Sequence, residues 1–277
     1  MCVPGTVQRV RERVENEGLP IISRRAVLGG GAAAVAAAAV LPLPAVGAPR
    51  RTRRRDLTHV FRAGFPVYAF DPPARRTLVT VENDGFYSQE WTFGEHSGTH
   101  MDAPGHFIGD GRRTPEIRLR ELVVPIVVID ISERAQGNPD AHVRIADLRA
   151  FERRHGRIPD GALVAMYSGW ETRVDDPAAY RNADAEGIFH FPGFGIAAAE
   201  WLLERRAIAG VGVDTLSLDV GRSQTFDVHL AVLGADRYGL ENLANLSRIP
   251  PRGATAFVGV VPWEEGSGGP ARVAAFW

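Results

Sequence analysis

The sequence predicts a mixed α/β domain in which a loop-rich layer carries a metal site. Strand-like and helix-like segments alternate after Leu122, whereas the segment before it is rich in glycine, proline and turn residues. A cluster of three histidines and one aspartate lies in that earlier segment, between His96 and His106. Because functional residues often lie on loops that regular elements hold in place, this arrangement indicates a site in the loop-rich layer.

The regular elements are predicted from apolar runs and from helical periodicity. Apolar runs predict four buried strands, at residues 122–131, 162–167, 208–213 and 255–261. Pro125 is expected at the start of the first strand or at a bulge. Helical spacing of apolar residues predicts three helices, at 145–155, 196–206 and 227–233, with Gly156 as the stop of the first. Leu148 and Phe151 are expected on one face of the first helix, and four residues of the second helix are expected in the core, namely Ile196, Trp201, Leu202 and Leu203.

Residues 1–47 predict a signal peptide of the twin-arginine type. A Ser-Arg-Arg motif places Arg24 and Arg25 ahead of an alanine-rich apolar run at 32–41, and small residues lead to Gly47. This order predicts cleavage after Gly47 and export to the periplasm or the extracellular space, with no membrane association afterwards. An uncleaved membrane anchor is the alternative, but the run is shorter than the ~20 strongly apolar residues that a span needs.

Residues 48–55 carry five arginines and predict a basic flexible tail, and residues 56–277 are long enough for one domain with its own core. The formal net charge of −1 offers no positive field for nucleic acid, so no such partner is expected. Cys2 is the only cysteine and lies in the predicted signal. The mature chain would therefore contain neither a disulfide nor a thiolate metal ligand.

The histidine cluster has the sequence HSGTHMDAPGH, from His96 to His106. Its glycines and Pro104 disfavour a helix. If the chain is extended around His100 and Asp102, their spacing places both side chains on one face. Imidazole and carboxylate groups bind Zn²⁺, Mn²⁺ or Fe²⁺, so the segment predicts a strand end or loop folded around a cation. A polar surface loop is the alternative, which three of the 8 histidines so close together disfavour.

A cation bound by this segment needs ligands from a distant element to complete its shell. His229 and Glu241 are candidates, because each is a polar residue set among apolar neighbours. A carboxylate buried in such a place needs a partner, and a cation is a good one. The alternative is a hydrogen-bonded core histidine and a surface glutamate.

The motif from His96 to His106 resembles the signature of the metal-dependent cyclase family, whose best-known members are bacterial kynurenine formamidases and isatin hydrolases. Further similarity lies at Asp-Leu-Thr-His (56–59), at Gly-Val-Asp-Thr-Leu-Ser-Leu-Asp (212–219), at the segment of Glu241 and at Pro-Ala-Arg-Val (270–273). The resemblance implies a single swivelling β/β/α domain with a mixed sheet, assembled as a homodimer or homotetramer.

The resemblance also implies the metal ligands. His96, His100 and Asp102 correspond to ligands of a first metal, Asp102 and Glu241 bridge to a second metal, and His229 is a ligand of that second metal. One or two zinc ions are expected, with manganese as the other candidate, because the donor set contains only nitrogen and oxygen. A carboxylate at Glu241 resembles the two-zinc members.

His106 corresponds to the proton donor and acceptor of the family. A proton shuttle beside a metal-activated water fits hydrolysis of an amide. The alternative for His106 is a fourth metal ligand or a group that supports the ligands. The resemblance thus implies an exported metal-dependent hydrolase that cleaves a linear or cyclic amide. Two other hypotheses are a non-catalytic metal- or ligand-binding protein on the same scaffold and a metal-dependent lyase or dehydratase.

The expected substrate is a small amide or lactam, with aromatic residues in contact with it. Tyr68 lies in Phe-Pro-Val-Tyr (65–68), where the formamidases place an aromatic residue, usually tryptophan. Trp91 and Phe191 are further candidates for the pocket. The alternative for each of these two is a core aromatic residue, which is the commoner place for such a side chain.

Overall fold

The computed structural model describes residues 52–277 together with Gln8, Glu12 and Asn16. Apart from those three residues, the predicted signal peptide lies outside the described residues, and so does the start of the predicted basic tail. Within the described part of the chain, no helix has the length and apolarity needed to cross a membrane.

The described residues form twelve strands, seven α-helices and several short 3-10 turns. The strands are β1 Arg54–Asp56, β2 Ala74–Val79, β3 Ser88–Thr92, β4 His100–Asp102, β5 Val123–Asp130, β6 His142–Val143, β7 Leu163–Tyr167, β8 Gly193–Phe194, β9 Gly210–Val213, β10 Tyr238–Glu241, β11 Ala254–Val260 and β12 Gly268–Phe276. The helices are α1 Val81–Asp84, α2 Leu119–Leu122, α3 Ser132–Gly137, α4 Ile145–His155, α5 Pro177–Arg181, α6 Ile196–Arg205 and α7 Asp227–Gly234.

Eight of the strands form one mixed sheet, in the order β1-β12-β11-β5-β7-β9-β10-β4. Strands β5, β7, β9 and β10 are parallel neighbours, and the other pairings are antiparallel. Strand β4 pairs with β12 as well as with β10, which closes the sheet into a barrel. A second, small sheet joins β6 to β8. This arrangement confirms the predicted α/β class with a mixed sheet.

Residues 75–91 belong to a separate compact unit. It contains the hairpin of β2 and β3 and the short helix α1. The guanidinium of Arg75 lies 5.8 Å from the centroid of the Trp91 ring within this unit. The substrate contact predicted for Trp91 therefore concerns this unit and stays a prediction.

The predicted strands and helices of the second half are confirmed within a few residues. Leu148, Phe151 and Leu202 are buried, and Trp201 and Leu203 are partly buried against the same core. Ile196 is 37% exposed, so the expectation of a core residue is wrong there. Helix α6 buries the stripe of Ala198, Ala199 and Leu202, and Ile196 lies off that stripe.

The predicted basic tail is not flexible at its end. Arg54 and Arg55 lie in β1, opposite Phe276 and Ala275 of β12. Without β1, the C-terminal half of β12 would have an unpaired edge. Because β1 is then the outer strand of the sheet, its exposed arginines disfavour pairing with another chain. The prediction of a flexible tail at 48–55 is therefore corrected for these two residues.

Candidate metal centre

Strand β4 carries two of the predicted ligands and is paired on both sides. Glu241 of β10 lies opposite His100, and Gly239 lies opposite Asp102. On the other side, Gly268 of β12 also lies opposite Asp102. The sheet register therefore brings the carboxylate of Glu241 to the motif despite the long sequence separation.

Asp102 and Glu241 share His100 as a neighbour. The Nε2 atom of His100 lies 3.4 Å from Asp102 Oδ1 and 3.3 Å from Glu241 Oε2. All three side chains are buried, and the short distance between His100 and Asp102 confirms their expected placement on one face. Each of the three offers one possible ligand atom within 4.8 Å of the other two.

A buried chain of polar groups fixes the orientation of the His100 ring. Its Nδ1 donates to the carbonyl of Gly98 at 2.9 Å, and Asn242 Nδ2 donates to the same carbonyl at 2.8 Å. The Tyr180 hydroxyl in turn donates to Asn242 Oδ1 at 2.9 Å. With Nδ1 used in this way, the Nε2 atom is directed at the two carboxylates and is the atom available to a cation.

His229 of α7 faces the same two carboxylates. Its Nε2 atom lies 3.1 Å from Glu241 Oε1 and 3.6 Å from Asp102 Oδ2. Its Nδ1 atom lies 2.7 Å from Asp219 Oδ2, and Asp219 also accepts hydrogen bonds from the backbone of Val228 and His229. Asp219 thus orients His229 in the way that carboxylates orient metal-bound histidines.

His96 reaches Asp102 from the turn before β4. Its Nδ1 atom lies 2.7 Å from Asp102 Oδ1, and its Nε2 atom lies 3.0 Å from the hydroxyl of Ser267. Ser267 donates to Glu95 at 2.6 Å. A Cβ atom at position 268 would come within 2.5 Å of the His96 ring, so Gly268 is required for this close approach. If His96 is a ligand, Nδ1 is the atom that faces the cation.

The charges of this group fit a bound cation. Asp102 and Glu241 are 1% and 5% exposed, and Asp102 Oδ2 and His100 Nε2 have no hydrogen-bond partner among the described residues. Burial alone would lower the pKa of His100, but Asp102 and Glu241 outweigh it and raise that pKa to about 10. Two buried carboxylates therefore attract positive charge at this point, and a divalent cation with nitrogen and oxygen ligands supplies it.

His106 lies beside the same carboxylate in the 3-10 turn Pro104–His106. Its ring stacks on His96, with the centroids 3.7 Å apart. Burial lowers the pKa of His106 to about 4, which leaves the ring neutral near pH 7. His96, Asp102 and His106 also place ligand atoms within 4.8 Å of one another, so the geometry suits both a proton shuttle and a ligand.

A cavity of about 370 Å³ opens onto these residues. Its wall is aromatic, formed by Tyr68, Phe70, Phe107 and Phe226. Tyr68 contacts the Phe226 ring edge-on at 5.5 Å, and Phe107 lies 4.8 Å from the His229 ring. A larger cavity of about 530 Å³ lies beside the first turns of α4 and α6. The buried histidines and carboxylates converge on the smaller cavity, which is therefore the candidate site.

The three predicted substrate contacts have different positions. Tyr68 lines the cavity, as expected. Phe191 is fully buried in a core cluster behind Tyr68, with the two ring centroids 6.3 Å apart, so it supports the wall and does not face the cavity. The expected direct contact of Phe191 is thus corrected, because its ring packs into the core.

Sequence reasoning missed several residues that support the site. Asp219 is the last residue of the Gly-Val-Asp-Thr-Leu-Ser-Leu-Asp segment, and its contact with His229 is not predicted from the sequence. Glu95 directly precedes His96, whereas its partner Ser267 is distant in the chain. Phe70 follows Tyr68 by two residues, and this proximity alone could have predicted that it lines the same cavity.

The chain is similar in sequence to several known proteins. A family model described as putative cyclase matches residues 55–220. The isatin hydrolase of Roseibium aggregatum is 34% identical over 239 residues, 79% of this chain and 90% of that protein. The kynurenine formamidase of Sphingopyxis alaskensis is 31% identical over 159 residues, 56% of this chain and 64% of that protein.

The fold is also found among solved structures. That of isatin hydrolase A from Ralstonia solanacearum superposes with a TM-score of 0.77 at 36% identity and covers 81% of this chain and 92% of that protein. The predicted cyclase-type fold is thereby confirmed. Given the matched family model and this similarity over most of its length, the chain belongs to the putative cyclase family.

Proposed function

We propose that this protein is an exported, metal-dependent hydrolase that cleaves a linear or cyclic amide of a small molecule. One observation carries the proposal: two buried carboxylates and the histidines around them converge at the base of a cavity with an aromatic wall. The names of the relatives support an amide substrate, since isatin is a lactam and a formamidase cleaves a linear amide. We expect one or two zinc ions, a homodimer or homotetramer, and no nucleic-acid partner.

The proposed chemistry divides among a few side chains. His96, His100 and Asp102 would hold a first cation, and His229 and Glu241 would complete a second position shared with Asp102. When bound, a divalent cation supplies the Lewis acidity that activates water and polarises the amide carbonyl. The neutral His106 accepts a proton from the attacking water and returns it to the nitrogen as the C–N bond breaks.

The direct test combines metal analysis with a hydrolysis screen. Purified mature protein should contain one to two equivalents of zinc or manganese, and it should hydrolyse at least one compound among formanilides, isatin-like lactams and lactones. Treatment with a chelator should abolish this activity, and added zinc should restore it. Protein without metal, and without thermal stabilisation by any added metal, would contradict the proposal.

Glu241→Gln should lower the occupancy of the second metal position more than that of the first. The amide keeps the shape of the side chain but removes its charge and one of its two oxygen ligands, whereas the first position keeps His96, His100 and Asp102. We expect stoichiometry close to one equivalent in metal analysis, with weakened activity. In a metal-loaded structure of the wild type, two bridged ions should lie about 3.5–4 Å apart.

Glu171→Gln is a matched control for this prediction. Glu171 is partly buried and accepts a hydrogen bond from the backbone of Asn245, outside the ligand group. Its amide variant should keep the wild-type metal content. In the metal-loaded structure, a distance of more than about 6 Å between Glu241 and every ion would be well beyond a zinc–oxygen bond. The assignment of two metal positions would then be wrong, and a single-metal centre would remain.

Replacement of Arg24 and Arg25 by lysines should retain the precursor in the cytoplasm, because the twin-arginine pathway reads this pair. Cell fractionation and the size of the protein measure the result. As a control, lysines at Arg50 and Arg51, which follow the predicted cleavage site, should leave export unchanged. Normal export of the Arg24/Arg25 variant would show that another pathway reads the segment or that it is not a signal.

A further inference from the structure

The polar groups behind His100 continue past Asn242 to a buried aromatic pair. The Tyr180 hydroxyl lies 2.9 Å from Asn242 Oδ1 and 3.0 Å from the backbone carbonyl oxygen of Asp214. At its backbone, the carbonyl of Tyr180 accepts a hydrogen bond from Trp170 Nε1 at 2.8 Å. Tyr180 is 0% exposed and does not line the cavity. Any influence of its hydroxyl on the metal centre therefore passes through Asn242.

Every polar group of Asn242 has a partner. Its backbone N–H donates to the carbonyl of Thr215 at 2.9 Å, and its own carbonyl accepts from Thr99 Oγ1 at 2.5 Å. Its side chain donates to the carbonyl of Gly98 and accepts from Tyr180. A half-turn of the side-chain amide would bring Oδ1 against the Gly98 oxygen, and two acceptors in contact repel. The hydroxyl of Tyr180 therefore matches the one orientation in which Asn242 Nδ2 faces Gly98.

The Gly98 carbonyl needs this support because glycine leaves its backbone several conformations. Gly98 has a φ of +69°, and glycine adopts positive and negative φ about equally well. Its carbonyl accepts from His100 Nδ1 at 2.9 Å and from Asn242 Nδ2 at 2.8 Å. If this carbonyl rotated away, the His100 ring would lose the bond that orients it. The amide of Asn242 opposes that rotation.

We propose that Tyr180 is a positioning residue, which holds His100 ready for a cation through the amide of Asn242. The inference rests on the proposed function, because it takes His100 as a metal ligand. Without the hydroxyl, the buried Oδ1 of Asn242 lacks a side-chain donor, so the amide is no longer held toward Gly98. The His100 ring then has to be ordered when a cation binds, and that ordering weakens binding.

Tyr180→Phe tests the proposal, because it removes the hydroxyl and keeps the packing of the ring. In competition with a chromogenic chelator, this variant should bind zinc about 10–100-fold more weakly than the wild type, as expected for loss of a group that orients a ligand. In spectra of the metal-free protein with isotope-labelled histidine, the Nδ1 proton of His100 should also exchange faster with solvent. His100→Ala identifies that signal. A zinc affinity equal to that of the wild type would overturn the proposal, whatever the exchange rates.

Tyr238→Phe is the matched control. Tyr238 is also buried, at 2% exposed, but its hydroxyl has no hydrogen-bond partner among the described residues. This variant should keep the zinc affinity of the wild type, and its melting temperature should stay equal or rise because a buried hydroxyl without a partner costs free energy. If Tyr238→Phe weakens zinc binding as much as Tyr180→Phe does, the effect is common to buried tyrosines and the positioning role is wrong.

A double variant separates positioning from a general effect on the fold. In protein that already carries His100→Ala, Tyr180→Phe should not weaken the residual zinc binding further, because the ring that it positions is absent. An additional loss as large as that in the wild type would mean that Tyr180 acts on the whole domain, and it would overturn the proposal.

Zinc binding and hydrolysis are measured separately, so this inference and the proposed function can fail independently. If the wild type hydrolyses none of the screened amides but Tyr180→Phe shows the weaker zinc binding, the hydrolase proposal fails and the positioning role stands. If hydrolysis occurs and Tyr180→Phe binds zinc like the wild type, only the positioning role is wrong. A wild type that binds no metal would overturn both.

Discussion

A His100→Ala variant should bind zinc at least about 100-fold more weakly than the wild type and lose its amide hydrolase activity at the same time. The Nε2 atom of His100 faces both Asp102 and Glu241 and has no hydrogen-bond partner among the described residues. Loss of a residue that only supports a ligand costs about 10–100-fold in metal affinity, and loss of a ligand itself should cost more. Competition with a chromogenic chelator measures the affinity.

His155→Ala serves as the control, because His155 ends α4 and lies outside the ligand group. It should keep the zinc affinity and activity of the wild type. Zinc should raise the melting temperature of the wild type and of this control but not that of His100→Ala. If His100→Ala instead retains zinc while activity falls, His100 is not a ligand and the assignment of the centre changes.

The regular elements could be predicted because their signals are local. The apolar run after Leu122 becomes β5, and the helical pattern that stops at Gly156 becomes α4. In both segments the residues that determine the element are neighbours in the chain, so periodicity and a stop residue are sufficient. The closed sheet is different, since β4 pairs with β10 and β12 through contacts between distant segments.

The candidate site also combines features with a local signal in the sequence and features that depend on distant segments. The spacing of His100 and Asp102 places them on one face from sequence alone, and the structure agrees. The approach of Glu241 depends on the register of β10 against β4, whereas the sequence offers only a polar residue among apolar neighbours and the resemblance to a family. The support of His96 by Ser267 depends on the path of β12 and has no local signal.

Two of the corrected expectations concern what covers a residue. Phe191 packs into the core, which is the alternative that the sequence left open beside a place in the pocket. The sequence around Arg55 indicates a solvated tail, but in the structure the backbone of Arg55 pairs with the open edge of β12. Composition describes the side chain, whereas burial and pairing depend on partners that are far away in the sequence.

A His106→Ala variant should keep its fold and its metal but lose about 10²–10⁴-fold in kcat, the usual contribution of general acid–base catalysis. His106 lies next to Asp102 yet has His96 stacked on its ring, so it is placed at the edge of the ligand group. His106→Phe refines the test, because a phenyl ring keeps the stacking on His96 and lacks both nitrogens. It should be as slow as the alanine variant.

Metal content decides between the two roles of His106. His96, Asp102 and His106 lie close enough to hold an ion together, so a ligand role predicts loss of zinc from both His106 variants. A proton shuttle predicts full zinc content, a slow reaction and partial rescue of His106→Ala by added imidazole, which supplies the missing base. Rescue without any change in zinc content is an outcome that a ligand role would not produce, because a missing ligand would first empty the site.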